Sequence, residues 1–307
     1  MSALKRWLDK LAGDGDSGRR TSEPVSALES FASHFVLLLA VCFALYPVLW
    51  VVSLAFSGSR TQDASVLPIP HDPTLAHLEA VVLSTRTTPQ GESVWLFGRQ
   101  LANSLVVSLA TAAVGIVVAI PTAYALARFP FVGKEAGVRA LLATQMFPTV
   151  ASAIPLYLLL DRLHLLDSRG GLVLVYAATS VPFAIFQLRG AFSQIPVDLE
   201  EAAMVDGATR FQAFIKVTLP AARPAIAVTA LFAFMSAWNE FILAATLLSR
   251  EDAFTLPVVL QRYVGEHDAA WGSFAAGAIL VSVPVMALFY LAQRELVSGL
   301  TAGGVKG

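Results

Sequence analysis

The chain has 307 residues, of which 56% are hydrophobic and 14% charged, with a formal net charge of -1 and a mean hydropathy of +0.67. Soluble globular chains carry about 25% Asp, Glu, Lys and Arg, so the charge deficit excludes a soluble domain and predicts a membrane protein. The near-neutral balance leaves no basic field for a nucleic-acid backbone. The single cysteine, Cys42, permits neither an internal disulfide nor a thiolate cluster.

A hydrocarbon core about 30 Å thick takes roughly 20 apolar helical residues to cross. Six runs of that kind follow one another: Phe35 to Phe56, Leu101 to Leu126, Val138 to Leu160, Gly171 to Phe192, Pro224 to Leu248 and Gly272 to Gln293. The expected fold is an all-α integral membrane protein with six transmembrane helices, made of a tail (1–34), a membrane domain (35–293) and a second tail (294–307). In the first tail, Leu4, Trp7, Leu8 and Leu11 share a helical face suited to the inner leaflet, with a frayed end as the alternative. Residues 13–24 read as a flexible linker. No small-residue cleavage site precedes the first span, which is therefore read as an anchor and not a signal peptide. The outer loop Ser57 to Gly98 contains Pro68, Pro70, Pro73 and Pro89, and predicts one short helix over Leu75 to Leu83 within a cap on the outer face. Of the 21 Lys and Arg residues, 14 fall on the side that holds both tails and the second and fourth loops, so both termini are expected to be cytoplasmic.

Within the spans, Pro121, Pro148, Pro155, Pro182 and Pro284 are read as static kinks, tolerated where neighbours satisfy the freed carbonyls. Trp50, Trp95, Trp238 and Trp271 fall near outer ends or in outer loops, and are read mostly as interface anchors. Asn239 and Glu240 interrupt the fifth span, where an acid costs a few kcal/mol unless it faces a cavity or a partner. Two readings stay open for them: lining of a pathway, or an interhelical hydrogen bond that sets the packing. Gln145 and Gln187 are read as packing contacts. No GxxxxGK[ST] motif occurs, and His34, His71, His77, His164 and His267 include no close ligand pair. The chain is accordingly expected to hold neither nucleotide nor metal.

Between the fourth and fifth spans lies a different kind of segment. Pro196 suits a first helical turn, Asp198, Glu200 and Glu201 complement a helix N-terminus, and Ala202 and Ala203 make a thin surface that another protein can approach. Gly207 permits a bend, and Val217-Thr218-Leu219-Pro220 predicts a second helix stopped by proline. On its own this is an amphipathic loop helix. The spacing of Glu201-Ala202-Ala203, Gly207 and Val217-x-Leu219-Pro220 also resembles the EAA loop of the integral membrane permease subunits of binding-protein-dependent ABC importers, with Val217 in place of isoleucine. Gln145-Met146-Phe147-Pro148, Leu291-Ala292-Gln293-Arg294 and the stretch from Gly299 to Gly307 are similar to the MalG type of permease subunit in the carbohydrate-uptake (maltose, maltodextrin, trehalose) group.

The resemblance implies the type I importer permease fold in a bacterial inner membrane, and a transport subunit, not an enzyme. It implies membrane lipid around the chain, a homologous second permease subunit forming a heterodimer, an extracytoplasmic sugar-binding protein, and two copies of a cytoplasmic ATPase that bind the ATP and Mg. It further implies that Glu201, Ala202, Ala203, Gly207, Leu219 and Pro220, in the loop 195–220, receive the ATPase, and that Thr301, Gly303, Gly304 and Lys306 of the tail reach between the two ATPases, where composition alone reads as ordinary terminal disorder. In the third outer loop, 249–271, the tip Gly265-Glu266-His267-Asp268 would enter the binding protein's sugar cleft, with a simple solvated connector as the alternative. A chain without an ATP site but with an exposed acidic helix is suited to receive force from a partner whose nucleotide favours one of two conformations. The rival is a secondary transporter driven by an ion gradient, which predicts inverted repeats and ionisable residues near the midplane. The two halves show no obvious repeat, and Glu240 is the one charge deep in a span. A membrane-embedded enzyme would need His, Asp or Ser clustered at one depth, and the sequence has no such cluster.

Overall fold

The computed structural model describes residues 27–58, 67–87, 91–265 and 270–304. The expectations for residues 4–11 and 13–24, for Glu266, His267 and Asp268, and for Lys306 lie outside the described residues. The described residues divide between Leu49 and Trp50 into two units. Helix α1 (Ala27–Phe56) starts in the first and is unbroken despite Pro47.

The second unit continues through α2 (Ala76–Val82), a short antiparallel hairpin of β1 (Thr85–Thr87) and β2 (Ser93–Trp95), and the long α3 (Leu96–Arg128). Next come α4 (Lys134–Gln145), α5 (Thr149–Arg162) and α6 (Arg169–Gln194), followed by α7 (Asp198–Val205) and α8 (Arg210–Ala213). A π-helical turn (Phe214–Thr218) joins α8 to α9 (Leu219–Ala221), and α10 (Arg223–Trp238), α11 (Ile242–Leu247), α12 (Leu256–Arg262) and α13 (Trp271–Gly304) complete the chain.

Helix α3 is the axis, and α6 and α10 pack along it. Thr111, Gly115, Ala119 and Ala123 recur every four residues on α3 and are all buried, so one helical ridge is thin enough for close backbone approach, the main way helices associate in a membrane. Val106, Leu109, Val117 and Val118 on the same helix are exposed, as an apolar solvent allows. One hydrophobic cluster, with Leu160, Leu172, Tyr176, Leu243 and Phe254, lies toward the N-terminal half of α3. A second, with Tyr124, Leu188, Phe192 and Phe214, lies at its C-terminal end.

Three expectations need correction. The third span is not one kinked helix: α4 and α5 meet at a 97° bend. Pro148 is the cause, since it disfavours helical backbone in the residue before it and stands in extended conformation at the start of α5 (φ -62°, ψ 126°). Pro121, Pro155, Pro182 and Pro284 do lie inside continuing helices. The fifth span is likewise divided, α10 ending at Trp238 and α11 starting at Ile242. Trp238 is no interface anchor: it is 1% exposed and stacks on Phe234 at 5.4 Å between ring centroids, because α10 is wedged between α3 and α13.

The polar face at the start of α3 holds the loop that follows α11. Asn103 Nδ2 donates to the carbonyls of Asp252 (2.9 Å) and Phe254 (3.0 Å), and Gln100 Nε2 donates to that of Glu251 (3.1 Å). Ser104 Oγ accepts from the Leu256 amide at 2.7 Å, and Arg169 Nε donates to Asn103 Oδ1 at 2.8 Å. Residues 100, 103 and 104 share one helical face, so a single stripe of side chains replaces water for a turn of irregular backbone. Asn103→Ala is expected to lower stability by about 1–3 kcal/mol, the cost of buried groups left unpaired, and to speed tryptic cleavage after Arg250. A melting curve and a digestion time course in detergent measure both.

Candidate functional site

The segment between α6 and α10 is built around a carboxylate the sequence singled out only as a dipole partner. Glu200, on the first turn of α7, is 5% exposed. Its Oε1 accepts from Arg128 Nε (2.7 Å) and Thr218 Oγ1 (2.7 Å), and its Oε2 accepts from the Tyr124 hydroxyl (2.8 Å). Arg128 Nη2 also donates to the Ile195 carbonyl at the end of α6 (2.9 Å). One side chain thus joins α3, the end of α6, α7 and the π turn. Burial opposes the Glu200 charge, but hydrogen bonds from Thr218, Tyr124 and Arg128, with the Arg128 charge, outweigh it and hold the carboxyl below the usual carboxylate range. The Tyr124 ring lies 4.3 Å from that of Phe214 and 6.0 Å from that of Phe192, closing the pair off from water on the side of the helices.

With Glu200 turned inward, helical geometry turns the next residues out. Glu201 and Ala202 are exposed and Ala203 is half-buried. Helix α7 ends in a Schellman motif: the Gly207 amide donates to the Met204 carbonyl (3.1 Å) and the Ala208 amide to that of Ala203 (3.0 Å). Gly207 has φ +92°, and nothing lies within 4 Å of where a Cβ would stand, so its requirement is for backbone freedom and not for space. The chain then restarts at once, because Thr209 and Gln212 form a capping box.

The second helix is not stopped by Pro220, contrary to expectation. The π turn just before it widens the helix where the proline ring would crowd a preceding carbonyl, and helical backbone continues to Ala221 before turning 71° into α10. Leu219 and Pro220 are half-buried there. The loop also shows apolar side chains outside the spans: Val205 is 87% and Phe211 72% exposed. Exposed apolar side chains on the same loop as the exposed Glu201 are of the kind that protein-binding surfaces carry. The sequence reading missed Val205 and Phe211, although a large apolar pair flanking a glycine bend in a polar loop was a usable signal.

The other expected site residues are not gathered here. Asn239, exposed between α10 and α11, donates from Nδ2 to the Met235 carbonyl (2.9 Å). Glu240 accepts from the amides of Leu243 (2.8 Å) and Ala244 (3.0 Å) and from the Tyr176 hydroxyl (2.7 Å), so it caps α11 and ties it to α6. Gly265 follows α12 and is exposed, and Thr301, Gly303 and Gly304 continue the helical backbone of α13. Among the described residues no three His, Cys, Asp or Glu side chains come together as a metal would need.

Glu200→Ala is expected to destabilise the protein by about 3–5 kcal/mol, because it leaves Arg128 buried without its carboxylate. A carboxylate held below its unfolded pKa contributes stability that is present above that pKa and lost as pH falls through the folded value. Melting temperature against pH in detergent should therefore fall on the acid side for wild type, with that acid limb flattened in the variant.

Comparison with known proteins bears on the same segment. Residues 94–300, which include it, match the family described as "Binding-protein-dependent transport system inner membrane component". The trehalose transport system permease protein SugB of Mycobacterium tuberculosis is 37% identical over 275 residues, covering 88% of this chain and 95% of that protein. The maltose/maltodextrin transport system permease protein MalG of Escherichia coli is 37% identical over 288 residues, covering 90% and 96%. Among solved structures, a chain of a bacterial ABC transporter involved in import of the acidic polysaccharide alginate superposes with a TM-score of 0.71 at 24% identity, covering 90% of this chain and 99% of that one. At that identity the likeness concerns the fold.

Proposed function

The chain belongs to the family of inner membrane components of binding-protein-dependent transport systems, and from that membership we propose that it forms half of the translocation pathway of an ATP-driven oligosaccharide importer. It is a multi-pass inner membrane permease subunit of the ABC importer type and not an enzyme; ATP hydrolysis belongs to a separate subunit. The proposed cargo is maltose, maltodextrin or trehalose, supported by the similarity to MalG and SugB.

The observation that carries the coupling role is the mounting of α7. Its exposed Glu201 and Ala202, with Val205 and Phe211 on the same loop, stand on a buried ion pair that reaches α3. A partner that pushes on this helix therefore pushes on the membrane domain. In this reading Glu201 meets a basic residue of the ATPase, Ala202 and Ala203 allow close approach, Gly207 holds the bend, and Leu219 and Pro220 seat the loop against α10. ATP and Mg are bound by two copies of the ATPase, and a second, homologous permease subunit completes a heterodimer. The tail with Thr301, Gly303, Gly304 and Lys306 acts at the ATPase pair, and the loop tip Gly265-Glu266-His267-Asp268 meets the sugar-binding protein. Asn239 and Glu240 are the pathway residues of this reading only through the α10–α11 break they hold open.

The test is reconstitution with the ATPase, the second permease subunit and the binding protein in liposomes. Sugar uptake is expected to require ATP on the ATPase side and to survive ionophores that collapse ion gradients; uptake without ATP, or lost on ionophore addition alone, would favour a secondary transporter. Glu201→Lys and Gly207→Val should insert normally and lose about tenfold or more of ATP-coupled uptake, since the first places a cation where a cationic partner is expected and the second forces a β-branched residue to positive φ. Normal uptake by both variants removes the coupling role. Deleting residues 301–307 should leave assembly intact and change sugar-stimulated ATP hydrolysis; an unchanged rate shows that the tail is dispensable.

A further inference from the structure

A cavity of about 220 Å³ lies between the end of α4, the middle of α6 and α10. Its polar lining is Gln145, Thr179, Ser180, Thr229 and Ser236, and the rings of Phe183 and Phe232 form its apolar wall. Both phenylalanines are about half exposed, and they meet edge to face at 6.1 Å. Thr179 lies about 15 Å along the 26-residue α6, which is mid-depth for a spanning helix.

Two independent observations say that this wall does not face hydrocarbon. Gln145 spends one amide hydrogen on the Thr179 carbonyl (3.2 Å), and the rest of its amide has no partner among the described residues. Ser236 is exposed and makes no hydrogen bond among the described residues. Polar groups left unsatisfied in lipid cost several kcal/mol. The second observation is the backbone: Met146, Phe147 and Pro148 form the 97° break directly after Gln145. Irregular backbone at membrane depth is tolerated only when covered by protein or when it lines an aqueous cavity, and broken helices recur around transporter substrate sites.

The lining also selects a chemistry. It holds no charged side chain, so it offers nothing to neutralise a carboxylate or a phosphate. It combines phenyl faces with hydroxyl oxygens and an amide that can both donate and accept. A pyranose has the matching surfaces, a C–H face to lie on a ring and a rim of hydroxyls that exchange hydrogen bonds in both directions. Pockets for drug-sized ligands run from about 300 Å³ upward, so this smaller volume suits one sugar ring and not a whole oligosaccharide. The geometry points to a subsite for a single neutral pyranose ring on this chain's own wall of the pathway, held by Gln145, Ser180 and Ser236 against Phe183 and Phe232. Gln145 is then a ligand-binding residue, and the Gln145-Met146-Phe147-Pro148 stretch is the device that aims it: the break ends α4 where the amide reaches α6.

This subsite rests on the sugar-import reading, and the experiment separates the two. The complete importer is reconstituted with wild type, Gln145→Leu, Phe232→Ala, Phe232→Trp and Ser236→Ala, and uptake of maltose, maltotriose and trehalose is measured beside ATP hydrolysis stimulated by sugar-loaded binding protein. Gln145→Leu, Phe232→Ala and Ser236→Ala are expected to assemble and keep stimulated hydrolysis, while sugar moved per ATP falls by up to about tenfold, the factor that one lost hydrogen bond or ring contact supplies. Phe232→Ala should also change the ratio of maltose to trehalose uptake, and Phe232→Trp should recover most of the rate. A wild-type importer that moves none of these sugars overturns the cargo reading. Wild-type uptake with unchanged rates and ratios in all three truncating variants overturns the subsite alone. Loss of assembly with the second permease subunit in those variants also overturns it, because the cavity wall would then be a subunit contact.

Discussion

The buried carboxylate of Glu200 is the constraint on which the segment between α6 and α10 depends. An acid placed among Tyr124, Phe192 and Phe214 is tolerable only if its charge is met, and Arg128, Thr218 and Tyr124 meet it from three directions. The pairing is therefore intolerant of half measures: each partner keeps the others satisfied, and loss of one leaves the rest unpaired in a low-dielectric pocket. That property suits a joint. A surface helix held by apolar contact alone could slide over the membrane domain, whereas one held by directional bonds to α3, α6 and the π turn carries displacement with it.

Helix α3 gives that joint its reach. Its 33 residues span about 50 Å, with Tyr124 and Arg128 at one end and Gln100, Asn103 and Ser104 at the other. The first end grips α7 through Glu200; the second grips the loop after α11 through backbone carbonyls. Between them the Thr111, Gly115, Ala119, Ala123 ridge keeps α6 and α10 close. A movement imposed at α7 therefore has a stiff route to the far side of the membrane domain, through packed helices and not through loops.

The two helix breaks show how the lipid environment shapes the rest. Each leaves backbone amides or carbonyls without helical partners, and no water is available in hydrocarbon to replace them. At the α10–α11 break the Glu240 carboxylate takes the first amides of α11 and the Tyr176 hydroxyl. At the α4–α5 break Gln145 bonds across to α6 and borders a polar-walled cavity. Both discontinuities are thus tied to α6, yet Met146 and Phe147 at the α4–α5 break are 85% and 62% exposed, so that break lies on an open face of the described chain and not within its packed core.

The sequence alone determined the class of protein, because apolar run length and charge deficit answer directly to bilayer thickness. It placed the short helix of the outer loop, the bend at Gly207 and the exposed Glu201, all set by local backbone preference or by helical periodicity within a few residues. The EAA spacing was legible only as a family resemblance, carried by residues within one short stretch of the chain. Glu200 was not: its partners Tyr124 and Arg128 lie more than seventy residues away in the chain, and only the folding of α3 beside α7 brings them together. Trp238 looked like an interface anchor by position and became core because α10 is covered on two sides. Pro148 and Pro155 read alike in the sequence, yet one breaks a span and the other sits inside a helix. Whether a neighbour such as α6 can take up the groups that a break exposes is decided by packing, and packing is a property of the tertiary structure alone.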